Sequence, residues 1–172
     1  IRMTIRHLKI RRFWALTATV ALLGAARAEL AFRDDSGHEV RLKAPAQRIV
    51  TLAPHATEIL YAAGAGDRLV GTVDYSDYPA AAKKVMRVGS YDRIDIEALV
   101  ALKPDLVIAW ETGNPAGQID KLRTFGLTVY ASQPNRMENI AGQLERFGQL
   151  AGTRPVADQA AARFRQRLER LR

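Results

Sequence analysis

Cysteine is absent from the 172 residues. That excludes a disulfide framework, a thiolate nucleophile, a cysteine-zinc site and a lipid carried on an N-terminal cysteine. Histidine is scarce at three. Only His38 and His55 lie beyond residue 28, which argues against a multi-histidine zinc or manganese centre. The longest apolar run, from Phe13 to Ala26, falls short of the roughly 20 residues a bilayer span needs. No phosphate-cradling loop is present. Gly64-Ala65-Gly66 follows a helical pattern and precedes a strand, the reverse of a dinucleotide loop.

The rest of the composition is that of a folded domain, 48% hydrophobic and 26% charged, which sets aside disordered and low-complexity classes. The net charge of +8 suggests nucleic acid until its location is read. Residues 1–28 hold six cations (Arg2, Arg6, Lys9, Arg11, Arg12, Arg27) and no acid, so the remainder carries 20 basic against 18 acidic side chains. Residues 154–172 hold six more arginines against Asp158 and Glu169, which leaves 29–153 mildly acidic, with 14 against 16. No nucleic-acid partner is expected.

The basic start, the apolar run and the small residues Ala26-Arg27-Ala28 have the three-part layout of a secretory signal peptide, with cleavage after Ala28. Arg11-Arg12-Phe13 resembles part of a twin-arginine signal but lacks its full flanks, so general secretion is favoured over the twin-arginine route. An exported, periplasmic protein is expected.

In the mature chain, Leu30–Arg33 and Glu39–Leu42 flank Asp34-Asp35-Ser36-Gly37 and predict a β-hairpin. Strands follow at Ile49–Leu52, Leu69–Val73, Met86–Val88, Leu106–Trp110 and Leu127–Tyr130. Helices open at Pro54 and over Ala80–Lys84, run from Ile96 to Leu102 behind an Asp95 cap, and start after an Asn114-Pro115 cap. That last helix is expected to bury Ile119, Leu122 and Phe125. Another begins with Asn135 and Glu138 as a capping box, with Met137, Ile140, Leu144, Phe147 and Ala151 on one face. From Val156, apolar residues recur at 160, 164, 168 and 171, predicting an amphipathic helix that carries on past the last residue. The pattern predicts an α/β, Rossmann-like lobe with a mainly parallel sheet flanked by helices.

In such sheets, ligands gather beyond the carboxyl ends of the strands. That nominates Pro54-His55, Asp74 to Tyr78, Ser90-Tyr91 and Trp110 to Asn114. Tyr75, Tyr78, Tyr91 and Trp110, from only twelve aromatics in the chain, fall in these few positions. The plain alternative for each ring is core or surface packing, which placement at a strand end makes the weaker reading. Arg93 is the nearest cation to this rim, a poor setting for an anionic chelate. Asp74 and Asp77 could form an acid pair, but loop acids three apart are ordinary turn residues, and no enzyme is expected. His55 could contact a ligand, serve as an axial ligand to a haem iron or corrinoid cobalt, or be structural. Glu97 and Glu58, early in their helices, are explained by the helix dipole alone.

Three segments, Arg48-Ile-Val-Thr-Leu-Ala-Pro-His-Ala-Thr-Glu58, Tyr75-Ser-Asp-Tyr-Pro79 and Ala101-Leu-Lys-Pro-Asp-Leu-Val-Ile-Ala-Trp110, together resemble one family. It is that of the periplasmic binding proteins of cobalamin and ferric-siderophore ABC importers, two lobes joined by a rigid helix, with the cobalamin (vitamin B12)-binding branch nearest. The resemblance implies that residues 29–152 are the amino-terminal lobe and 153–172 the start of the interlobe helix, with the second lobe absent. It further implies that Tyr75, Tyr91 and Trp110, with Pro54 and His55, face a corrinoid, Tyr91 standing where the family carries a tryptophan. Glu97 matches the acid that docks the lobe on arginines of the membrane permease. A monomer without a cofactor of its own is expected, with cobalamin as cargo. Haem or ferric-siderophore capture is the alternative.

Overall fold

The computed structural model describes residues 29–171; the expected leader, residues 1–28, lies outside them. An antiparallel hairpin of β1 (Leu30–Arg33) and β2 (Glu39–Leu42) comes first, with Leu30 opposite Leu42 and Arg33 opposite Glu39. A five-stranded sheet follows, built from β3 (Ile49–Thr51), β4 (Leu69–Thr72), β5 (Met86–Arg87), β6 (Leu106–Trp110) and β7 (Val129–Ser132). Its order is β5-β4-β3-β6-β7 and every pairing is parallel. The chain therefore works outward from β3 in one direction, then returns to lay β6 on the other side of β3. The boundary between β3 and β6 is the switch point, where the flanking loops part and leave a crevice.

Helices α1 (Pro54–Ala62), α2 (Ile96–Ala101) and α3 (Ala116–Thr124) connect the strands, and α4 (Met137–Ala151) and α5 (Arg154–Glu169) close the chain. Both sheet faces are covered, so the strands read as apolar runs. Ile49, Leu106, Ile108 and Tyr130 pack with Leu60, Phe147 and Leu150 on one side. Val50, Val107, Ala109 and Val129 pack with Leu99 and Leu122 on the other. This alternation is the two-residue period of a strand. Asp95 caps α2 as expected, its Oδ1 accepting from the Ala98 N–H at 2.9 Å.

Several boundaries differ from the sequence reading. The expected helix over Ala80–Lys84 is a 3-10 helix. Strand β7 starts at Val129 rather than Leu127, because register with β6 pairs Val107 with Val129 and Trp110 with Ser132. Phe125 is not buried with Ile119 and Leu122; it follows the last turn of α3 and is exposed, beneath the Lys121 ammonium. Helix α4 begins one residue later than the proposed box. Its Arg136 N–H donates to Asn139 Oδ1 at 3.0 Å, and Asn135 Oδ1 instead accepts from Gln133 Nε2.

Helix α5 buries Ala157, Ala160 and Ala161, with Phe164 partly buried, while Val156 and Leu171 are exposed. The every-fourth pattern drifts by about 40° per step round a 3.6-residue helix, and close approach to α4 selects the small side chains. A Cβ on Gly148 would lie 2.2 Å from the Ala157 Cβ. Gly152, at φ +69°, ends α4 in the left-handed conformation and admits Pro45 where a side chain would sit.

The hairpin turn is more than a connection. The buried Asp34 carboxylate accepts from the Ser36 and His38 N–H groups and the Ser36 hydroxyl within the turn. It also accepts from the Ala131 N–H of β7 at 3.1 Å and pairs with Arg123 at 3.4 Å. Asp35 takes the Gln133 N–H at 2.7 Å and the Gln143 amide. The turn thus fixes the chain leaving β7.

Candidate ligand-binding site

Three rings named from the sequence meet at the switch point. His55 is the second residue of α1, delivered by the extended Ala53 and by Pro54, which opens the helix. Trp110 is the last residue of β6. Their ring centroids are 5.2 Å apart, edge to face, a favoured aromatic geometry. Tyr91, in the tight turn Ser90–Arg93 after β5, lies 6.1 Å from Trp110 at a 47° tilt. The row His55–Trp110–Tyr91 crosses the carboxyl ends of the sheet and grades from half-buried to exposed, Tyr91 being 42% accessible.

Beside the row, a recess of about 430 Å³ is lined by His55, Ile59, Trp110, Gln133, Arg136 and Ile140. The His55 Nε2 is buried without a hydrogen-bond partner. Burial lowers the pKa of the imidazole from its ordinary value, because the charged form is the one that desolvation penalises. Burial therefore favours the neutral ring.

Tyr75 lies after β4 and stands apart from the ring row. It is 78% exposed, with φ at +64°, a conformation that non-glycine residues hold only where the surroundings impose it. Arg87 braces the chain on either side of Tyr75, donating to the Val73 and Ser76 carbonyls and to the Asp77 carboxylate at 3.1–3.2 Å. Ser76 is pinned in turn, its Oγ accepting from Thr72 at 2.9 Å, and Thr51, Thr57 and Thr72 link their hydroxyls at 2.7–3.0 Å. This buried cluster holds the starts of two loops. Asp77, bound to Arg87, is no half of an acid pair.

Asn114 corrects the sequence reading most. It caps no helix; Pro115 occupies the N-cap position of α3. Its carboxamide lies inside, joined to Trp110, Tyr91 and Leu52. The Gln133–Arg136 loop was also missed. Placing the end of β7 correctly would have nominated it by the rule that found the other loops. Gln133 Oε1 accepts from Thr112 N and Oγ1 at 3.2 and 3.0 Å, tying this loop to the one after β6. Arg136, not Arg93, is the arginine lining the recess, and it pairs with Glu138 at 3.4 Å. Glu97 is exposed in the first turn of α2.

Flat rings beside amides and hydroxyls suit a bulky, partly apolar ligand. No three His, Asp or Glu residues gather as a metal site among the described residues. None of the helices there is long and apolar enough to cross a membrane.

Comparison with known proteins bears on the same region. The family described as "Periplasmic binding protein" matches residues 49–172. A vitamin B12-binding protein of Vibrio cholerae serotype O1 is 49% identical over 128 residues, which cover 74% of this chain and 46% of the relative. The crystal structure of the periplasmic vitamin B12 binding protein BtuF of Vibrio cholerae superposes with a TM-score of 0.71 at 49% identity, covering 74% of this chain and 50% of that one. A periplasmic heme binding protein from Pseudomonas aeruginosa follows at TM-score 0.67 and 29% identity, covering 73% and 45%. The chain spans about half the length of the curated relatives it matches.

Proposed function

This chain belongs to the periplasmic binding protein family, and we propose that the full-length protein captures a corrinoid, cobalamin, in the periplasm and delivers it to an ABC permease. The observation that carries the reading is the aromatic row His55–Trp110–Tyr91 at the switch point of the sheet. Cobalamin is a wide disc fringed with amides. Aromatic faces bury its apolar rim, while hydroxyls and backbone groups meet the fringe. The likeness to vitamin B12-binding proteins at 49% identity supports the same ligand.

In this reading Tyr75 reaches the ligand from the neighbouring loop, Pro54 and His55 form the floor, and residues 153–172 begin the helix to a second lobe. Residues 1–28 are an export signal, the protein is a monomer, and it performs no covalent chemistry. Glu97 docks on arginines of the permease, steering encounter more than adding affinity.

Haem is the second reading. It is favoured by the unpartnered His55 Nε2 and the Arg136 guanidinium at the recess. Titrating the full-length protein with cyanocobalamin, haemin and a ferric siderophore separates them. Saturable binding of cyanocobalamin at micromolar levels or tighter is expected; a preference for haemin, or no corrinoid binding, overturns the proposal.

A further inference from the structure

We infer that Asn114 is the positioning residue of the ring row, with Gln118 as its second point of grip. The inference deepens the corrinoid reading and rests on it only for the identity of the ligand.

Asn114 is buried, with 3% of its surface exposed, four residues after Trp110. Its Oδ1 accepts from the Trp110 N–H at 2.6 Å. Its Nδ2 donates to the Leu52 carbonyl at 2.9 Å and the Tyr91 carbonyl at 2.7 Å. The chemistry fixes the orientation: one partner is a donor and two are acceptors, so a flipped amide would lose all three bonds.

The three partners belong to three different strand ends. Leu52 leaves β3 three residues before His55, Tyr91 lies in the turn after β5, and Trp110 ends β6. Backbone groups run short of ladder partners at the edge of a crevice, and unpaired buried polar groups are costly. Here one side chain supplies all three. One turn later, Gln118 Oε1 accepts from the Ile94 N–H at 2.9 Å and its Nε2 donates to the Asp92 carbonyl at 3.2 Å. Two carboxamides from one segment thus hold the Tyr91 turn at three backbone atoms. Tyr91 and Trp110 are set as a pair before any ligand arrives, which lowers the ordering cost of binding.

The test uses full-length protein labelled with 5-fluorotryptophan, the Trp110 resonance being the one lost in Trp110→Phe. Asn114→Ala and Asn114→Asp are compared with Leu150→Ala. Leu150 is a core residue whose carbonyl bonds Ala46 ahead of β3, at the other end of the sheet, so its truncation reports loss of stability alone. Both Asn114 variants are expected to shift or split the Trp110 resonance without ligand and to weaken cyanocobalamin binding about tenfold or more. Leu150→Ala is expected to do neither. Should the Asn114 variants fail to fold, Gln118→Ala is expected to weaken binding about threefold, the size of one net hydrogen bond, and to move the same resonance. Folded Asn114 variants with the wild-type resonance, or a Leu150→Ala variant that moves it equally, overturn the inference. Wild-type protein that binds no corrinoid defeats the functional reading, while the resonance still decides the role of Asn114.

Discussion

Gly113→Ala is a one-methyl change whose effect the structure localises to a single ring. An added Cβ would lie 1.9, 2.1 and 2.3 Å from three carbons of the Trp110 indole. Ordinary contact begins at 3.4 Å, so the ring has to retreat by about 1.5 Å at its nearest atom, a distance a packed neighbour cannot absorb. The backbone at Gly113 is not left-handed, so alanine adds no backbone strain and the consequence falls on the indole. Retreat breaks the contacts with His55 and Tyr91. Each aromatic pair is worth about 0.5–1.5 kcal/mol, so roughly 1–3 kcal/mol of local stabilisation is at risk. Binding should weaken about tenfold or more if the same ring meets the ligand. Gly117→Ala is the control, since a Cβ there meets nothing within 4 Å and helix propensity favours alanine by about 1 kcal/mol. Both variants are assayed by urea unfolding and by cyanocobalamin titration followed through tryptophan emission, with Trp110→Phe subtracted. Unchanged emission and unchanged affinity in Gly113→Ala would refute the stacking of Trp110 over Gly113 and its place at the ligand.

Burial lowers the His55 pKa, so the unfolded chain takes up a proton near pH 6.5 while the folded one resists it. Stability from this group is complete above pH 6.5 and falls as the pH drops below it. Wild-type protein should lose more in its urea midpoint between pH 7.5 and 5.5 than His55→Gln does; equal losses contradict the burial of the imidazole. Asp34→Ala removes a buried carboxylate with donors on both the hairpin and β7, and urea unfolding should show a cost of about 2–4 kcal/mol. A cost below about 1 kcal/mol, the range of an exposed pair, would place the hairpin outside the cooperative fold. Glu97→Arg should impair corrinoid uptake by cells while leaving affinity near wild type; equal loss of both would put Glu97 in the pocket.

Much of this architecture was legible because local and global signals agree. Leu106–Trp110 is an unbroken apolar run that matches β6 residue for residue, and the Asp95 cap marks a helix start that holds. The hairpin boundaries also hold. What escaped depends on strand order. That β3 lies beside β6 cannot be read from chain sequence, and only that neighbourhood brings His55 to Trp110 and lets Asn114 reach Leu52. An Asn-Pro pair before a helix has the signature of a cap, and the competing carbonyls are distant in sequence. Likewise, Ala131 and Ser132 lack strand propensity and are held in β7 by register with β6. The strand therefore ends two residues later than expected, and with it the loop that lines the recess was displaced. Three of the five nominated ligand residues form the ring row and its contacts; Pro54 sets the entry of His55, and Tyr75 occupies a separate, conformationally constrained loop on the same rim.

A crystal structure of the full-length protein with cyanocobalamin bound decides whether the ring row at the switch point is where the ligand sits. The corrin is expected against Trp110 and Tyr91, with His55 still edge to face with the indole and the Asn114 carboxamide still bonded to all three strand ends. A corrin seated elsewhere, with the ring row left open to solvent, would contradict it.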